Sequence, residues 1–261
     1  MRRALVLLAS GALLLTGCAS GSAATTTAAG SSSSSAPTGT LTVFAAASLK
    51  GAFTEIGEQF EAEHPGVRVA FSFAGSSDLA TQVRNGAPAD VLATADEENM
   101  LEVVDAGLTA QAPVDFATNV LTIVTPPGNP EGVASFADLA RSGTAVVVCA
   151  PQVPCGAAAA RVERSTGVAL SPVSEESSVT DVLTKVESGE ADAGLVYVTD
   201  ARAARGRVTA VPFPESSGAV NTYPVAPLQG AAQPELAVEF TQAVAGTRGR
   251  AVLQAAGFGA P

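Results

Sequence analysis

Ser48, Ser76 and Ser77 stand where an apolar strand pattern gives way to a helical one. The start of a helix presents backbone N–H groups with no intrahelical acceptor, and a partial positive charge. A serine hydroxyl beside such an end adds one more neutral donor. Two or more of these ends converging would hold an oxyanion without lysine or arginine. A single serine in this position more often only caps its own helix, so the pattern gains meaning from its repetition.

Other chemistries fit less well. A Ser-His-Asp hydrolase needs a histidine base, and His64 is the only histidine. It precedes Pro65-Gly66 at the end of a helical pattern, which reads as a surface helix terminus. Ser76 with Lys50 as base lacks an S-x-x-K spacing. A zinc site lacks ligands, and Tyr197 and Tyr223, far apart in sequence, make a poor start for a ferric site. Without tryptophan and with only two tyrosines, the chain is also poorly equipped to stack sugars.

The elements that must position the serines alternate strand and helix. Leu41 to Ala47 reads as a short strand. Leu49, Phe53, Ile56 and Phe60 then fall on one helical face. Val67 to Phe73 alternates, and a helix with Leu79 and Val83 stops at Asn85-Gly86. Asp90 to Thr94 is a buried-strand candidate, and Asp96 caps a helix ending at Gly107. Further on, Val120 to Thr125, Ala145 to Cys149, Gly194 to Val198 and Val208 to Phe213 read as strands, and Tyr223 to Leu228 leads into the last helices. Ser135 and Asp138 open a short helix, Gly156 to Arg164 is an Ala-rich one, and Val179, Val182, Leu183 and Val186 mark another. Two more start at Pro234 and near Arg248. The fold class is α/β, with largely parallel sheets flanked by helices and no visible internal repeat.

The N-terminus carries its own signal. Arg2 and Arg3 precede an apolar run from Ala4 to Leu15, of signal-peptide length and too short to span a bilayer. Leu15-Thr16-Gly17-Cys18 resembles the lipobox of bacterial lipoproteins, implying cleavage before Cys18 and lipid on its thiol. The segment to Gly39 is almost wholly Ala, Ser, Thr and Gly, a flexible tether. The expectation is therefore a leader over 1–17, an anchor and linker over 18–39, and a folded part of about 220 residues. Removing Arg2 and Arg3 takes the net charge from −11 to −13, which leaves no basic face for nucleic acid. Of the remaining cysteines, Cys149 and Cys155 form an even pair in an exported chain, and a disulfide is expected.

Five motifs carry a resemblance. Val43 to Leu49 (VFAAASL), Phe73 to Leu79 (FAGSSDL), Gly86 to Asp96 (GAPADVLATAD), Val153 to Gly156 (VPCG) and Gly194 to Ala201 (GLVYVTDA) occur in one order. Together they resemble the periplasmic molybdate-binding proteins of ABC transporters, and the likeness covers the chain from Thr40 onward. It implies a two-lobed periplasmic-binding-protein fold of type II closing on a tetrahedral oxyanion. Lobe one would be 40–121 plus 223–261, and lobe two 122–222.

By motif, the resemblance implies hydroxyl and backbone donors at Ser48 and Ser76 and backbone N–H donors at Cys155 and Val179. It implies a phenolic donor at Tyr197. Cys155 departs from the small residue expected there, and a bridge to Cys149 would stiffen its loop. The implied protein is no enzyme and has no cofactor or direct metal ligand. It would be an extracytoplasmic, lipid-anchored monomer that passes molybdate, and tungstate with it, to a membrane permease and its cytoplasmic ATPase. Sulfate or another tetrahedral oxyanion is the alternative ligand, and a secreted serine hydrolase the more distant one.

Overall fold

The computed structural model describes residues 38–261. The expected leader, Cys18 and nearly all of the tether lie outside the described residues. Among the described residues no helix is long and apolar enough to cross a membrane.

In chain order the elements are β1 (Gly39–Ala46), α1 (Lys50–Glu63), β2 (Val67–Ala74), α2 (Ser76–Arg84), β3 (Val91–Ala93), α3 (Glu97–Asp105) and β4 (Val114–Asn119). They continue as β5 (Leu121–Thr125), β6 (Val146–Cys149), α4 (Pro154–Thr166), β7 (Ser174–Glu176), α5 (Val179–Glu187), β8 (Ala193–Tyr197), α6 (Val198–Ala203) and β9 (Thr209–Val211). The chain ends with β10 (Asn221–Pro227), α7 (Pro234–Ala245) and α8 (Thr247–Ala256).

Two five-stranded sheets result, ordered β2-β1-β3-β10-β4 and β7-β6-β8-β5-β9. In each, one strand runs against the other four. These are β10, antiparallel to β3 and β4, and β5, antiparallel to β8 and β9. β5 and β10 are also the strands by which the chain enters each sheet from the other. The sequence shows no repeat, yet both lobes repeat one strand plan. The crossings fall between Asn119 and Leu121 and between Val211 and Asn221.

The first sheet buries both faces, as a helix-covered sheet must. Along β1, Leu41, Val43 and Ala45 join the core under α1, α7 and α8, whereas Phe44 packs with Leu79, Leu92 and Met100 under α2 and α3. This is the period-two alternation of a strand applied to two apolar layers. Phe53 anchors the first layer against Phe116 and Phe240, with ring centroids 5.7 and 6.1 Å apart. The second sheet supplies its own core, with Ile123, Val147, Leu195 and Val182 fully enclosed.

Local starts follow the sequence. Asp96 caps α3 by accepting from the Asn99 N–H at 3.0 Å, and Ser135 with Asp138 completes a capping box over a 3-10 turn. His64 sits at the end of α1, stacked on Phe60 and 3.1 Å from Glu239.

Candidate functional site

Ser48, Ser76, Cys155, Val179 and Tyr197 line one cavity, together with Ala46, Ala47, Gly75, Ala95, Val153 and Pro154. Its free volume is about 10 Å³, room for about one water molecule. No lysine, arginine, histidine or carboxylate lines it.

The lining is built from helix starts. β1 runs into a 3-10 turn, Ala47–Leu49, which carries Ser48 and leads into α1. α2 opens with Gly75 as N-cap and Ser76 as its first residue. α4 opens with Val153, Pro154 and Cys155, and α5 with Ser178 and Val179. Tyr197 ends β8 and stands at the N-cap of α6. The first N–H groups of a helix have no intrahelical acceptor. Proline at the first position of α4 has no N–H, so Cys155 carries the first free donor of that helix.

The serines do not cap their helices. Neither N-cap of the 3-10 turn nor of α2 makes a side-chain cap bond. Instead the Ser76 Oγ, 1% exposed, accepts from the Ala95 N–H at 3.0 Å. Its own proton is therefore free to be donated elsewhere. Ser48 Oγ lies 3.1 Å from the Tyr223 hydroxyl. Ser77, beside Ser76, does not reach the cavity lining.

Gly75 is required by a close approach. A Cβ there would lie 2.0 Å from the Ser177 carbonyl oxygen, one residue before the N-cap of α5. The start of a helix in lobe one thus abuts the start of a helix in lobe two. Gly156 is held as tightly against Ala150, its Cβ position 2.0 Å from that carbonyl oxygen. Cys149 and Cys155 are bonded through sulfur, with Cα atoms 5.7 Å apart. The bridge ties the end of β6 to the first turn of α4, where Cys155 lines the cavity.

Several residues escaped the sequence reading. Tyr223 and Tyr197 are not isolated: their rings pack edge to face at 6.0 Å. Burial pushes both hydroxyls well above the usual phenol range, so they stay neutral donors. Asn221 Nδ2 donates to the Tyr197 hydroxyl at 2.9 Å, and Asn119 Nδ2 to Thr199 at 2.8 Å. The Asp200 carboxylate accepts from the Tyr197 N–H at 3.0 Å, and burial raises its pKa to about 7 despite that bond. No local pattern marks these groups, since each acts through a partner distant in sequence or through burial.

Two lobes, each a helix-covered sheet with four strands running one way and one against them, meeting at a small cavity, define a periplasmic-type binding protein. The chain belongs to the bacterial extracellular solute-binding protein family, whose model matches residues 41–259. It is 56% identical over 222 residues to the molybdate-binding protein ModA of Mycobacterium tuberculosis, covering 85% of either chain. Among solved structures, the periplasmic molybdate-binding protein of Azotobacter vinelandii matches with TM-score 0.73 and 24% identity, over 85% of this chain and 99% of that one. The sulfate-binding protein SubI of M. tuberculosis matches with TM-score 0.73 and 20% identity, over 84% and 86%. At such identities these two likenesses speak for the fold.

Proposed function

We propose that this protein captures molybdate in the cavity between Ser48, Ser76, Cys155, Val179 and Tyr197, and delivers it to an ABC importer. One observation carries the reading: several helix starts converge on a cavity lined by no lysine, arginine, histidine or carboxylate. Ser48, Ser76 and Tyr197 supply hydroxyls, and Cys155 and Val179 supply N–H groups. A fully ionised oxyanion presents only acceptors, and each of the five groups here can donate to it. A protonated phosphate needs an acceptor for its own proton, and no carboxylate lines the cavity to supply one, so it is discriminated against. Neutral donors at short range also explain how an acidic protein holds an anion, since net charge acts weakly beyond a Debye length.

The mycobacterial relative, named a molybdate-binding protein and 56% identical, supports molybdate as the ligand. Tungstate, of the same shape and charge, belongs with it. Sulfate is the second reading, favoured by the likeness to SubI and by a donor set that suits any fully ionised tetrahedral oxyanion. The lobes are taken as 40–120 with 221–261, and 121–220, following β5, which begins at Leu121, and β10, which begins at Asn221. Cys18 is taken as the lipid anchor of an extracytoplasmic monomer, with the permease and its ATPase as partners.

Calorimetry of the soluble domain against molybdate, tungstate, sulfate and phosphate tests the reading. Tight binding of the first two and weak binding of the others is expected. Equal binding of sulfate, or no binding of molybdate, overturns it.

A further inference from the structure

Asn221 is 2% exposed and sits at the first position of β10, where the chain returns from lobe two to lobe one. Its side chain has partners on all sides. Oδ1 accepts from the Arg161 guanidinium at 2.7 Å. Nδ2 donates to the Ala95 carbonyl at 2.7 Å and to the Tyr197 hydroxyl at 2.9 Å, with the Pro154 carbonyl at 3.3 Å. A guanidinium can only donate and a backbone carbonyl can only accept. The amide therefore has one permitted orientation, since flipping it would set N–H against guanidinium and oxygen against two carbonyls.

That orientation has a consequence for Tyr197. Its oxygen accepts from an N–H, so its single proton points away from Asn221, toward the side where the cavity and the Tyr223 hydroxyl lie. We infer that Asn221 is a positioning residue that fixes Tyr197 as a donor toward the bound oxyanion, with Arg161 fixing Asn221 in turn. The inference rests on the oxyanion reading above and deepens it.

Ala95 joins this arrangement to the rest of the site. Its N–H donates to Ser76 Oγ and its carbonyl accepts from Asn221, so the backbone of one residue is bonded both to Ser76 and to the side chain that orients Tyr197. Without Asn221 the tyrosine hydroxyl could turn its proton to the Pro154 or Ala95 carbonyl and present a lone pair to the anion. A protonated oxyanion would then find an acceptor that the native lining withholds.

A double-mutant cycle read by calorimetry with molybdate tests this, using Asn221→Leu, Tyr197→Phe and the pair. Asn221→Leu, close in shape, should weaken binding about tenfold, the loss of one directed donor to a charged acceptor. In the Tyr197→Phe background it should cost no more than about threefold further, because its effect runs through the missing hydroxyl. The ratio of phosphate to molybdate affinity should rise in Asn221→Leu alone. Wild-type affinity in Asn221→Leu, or losses that multiply in the pair, overturns the inference. Neutron diffraction of the wild-type crystal gives a second test that needs no variant to fold and no ligand. The Tyr197 hydroxyl deuterium should point away from Asn221 into the cavity, and a deuterium on the Asn221 side overturns the inference. If the wild type binds none of the oxyanions, the functional reading falls alone, while the deuterium position still decides the role of Asn221.

Discussion

Gly75 and Ser177 touch across the cleft: no carbon atom fits at the Cβ position of one without striking the carbonyl oxygen of the other. The contact joins the start of α2 to the segment entering α5, and the first residues of both helices, Ser76 and Val179, line the cavity. Gly75 is thus a condition for the close approach of the two lobes. Its φ of −61° is open to any residue, so backbone strain has no part in the requirement.

Gly75→Ala should therefore leave the isolated lobes intact and hinder their closure. Molybdate affinity should fall on the order of a hundredfold, since one contact loosens every interlobe donor at once, each worth roughly 1.5–3 kcal/mol. The melting temperature without ligand should change little. Calorimetry and thermal melts of the ligand-free variant check this, and unchanged affinity would show that the lobes close without this contact.

Ser48→Ala, Ser76→Ala and Tyr197→Phe should each cost about 1.5–3 kcal/mol of binding, or roughly ten- to a hundredfold in affinity. Ser77→Ala should bind like wild type, because Ser77 does not line the cavity. Ser76→Ala should also lower stability by about 1 kcal/mol, since the Ala95 N–H loses its buried acceptor. Titrations of the four variants measure the first effect, and urea unfolding the second.

Asp200 sets a pH dependence. Burial raises its pKa to about 7 in the folded protein, against 3.8 for the free side chain. Between those values the folded state keeps a proton that the unfolded chain has released. The group's contribution to stability is therefore greatest below about pH 4, falls as pH rises toward 7, and is level above that. Asp200→Asn removes this slope. The melting temperature of the variant, relative to wild type, should climb between pH 4 and 7 and then hold. A difference that is flat across the range would place the Asp200 proton elsewhere.

The Cys149–Cys155 bridge closes a short loop, so its removal should cost only about 2 kcal/mol of global stability. Its local effect should be larger, because the Cys155 N–H would lose its fixed aim before ligand arrives. Cys149→Ser/Cys155→Ser should bind molybdate several-fold more weakly with a faster dissociation rate. Mass spectrometry of exported wild type under non-reducing conditions should find no free alkylatable thiol in this pair. Equal affinity in the double variant would remove the bridge from the binding mechanism.

The sequence showed most clearly what depends on neighbours along the chain. Apolar periodicity placed β1, β6 and β8, and side-chain caps placed α3 and the turn after Ser135. It missed β4, β7 and α6. β7 is Ser174-Glu175-Glu176, a polar edge strand paired only with β6, and β4 likewise forms an edge with exposed Val114 and Asp115. An edge strand lacks the apolar alternation that identifies a buried one. α6 has six residues, too few to show a period. The serines were legible as helix-start residues, but their capping role was not what folding chose: Gly75 takes the cap position and frees Ser76 to accept from Ala95. Tyr223, Asn119 and Asn221 were invisible for another reason. Their meaning comes from pairing across about a hundred residues, and the register that sets Asn221 opposite Asn119 exists only once the first sheet forms.

That register bears on ancestry and on engineering. Asn119 and Asn221 face each other in one antiparallel pair, so their Cα atoms stand about 5 Å apart. Everything between them, from 120 to 220, leaves and re-enters the first sheet at adjoining points. The whole second sheet is thus an insertion carried at the end of a hairpin, and a tight turn could replace it without stretching the parent strands. A protein so arranged can have its second lobe exchanged as a cassette for that of a relative. The replacement would bring its own half of the donor set, and selectivity could then be reassembled from two separately inherited parts.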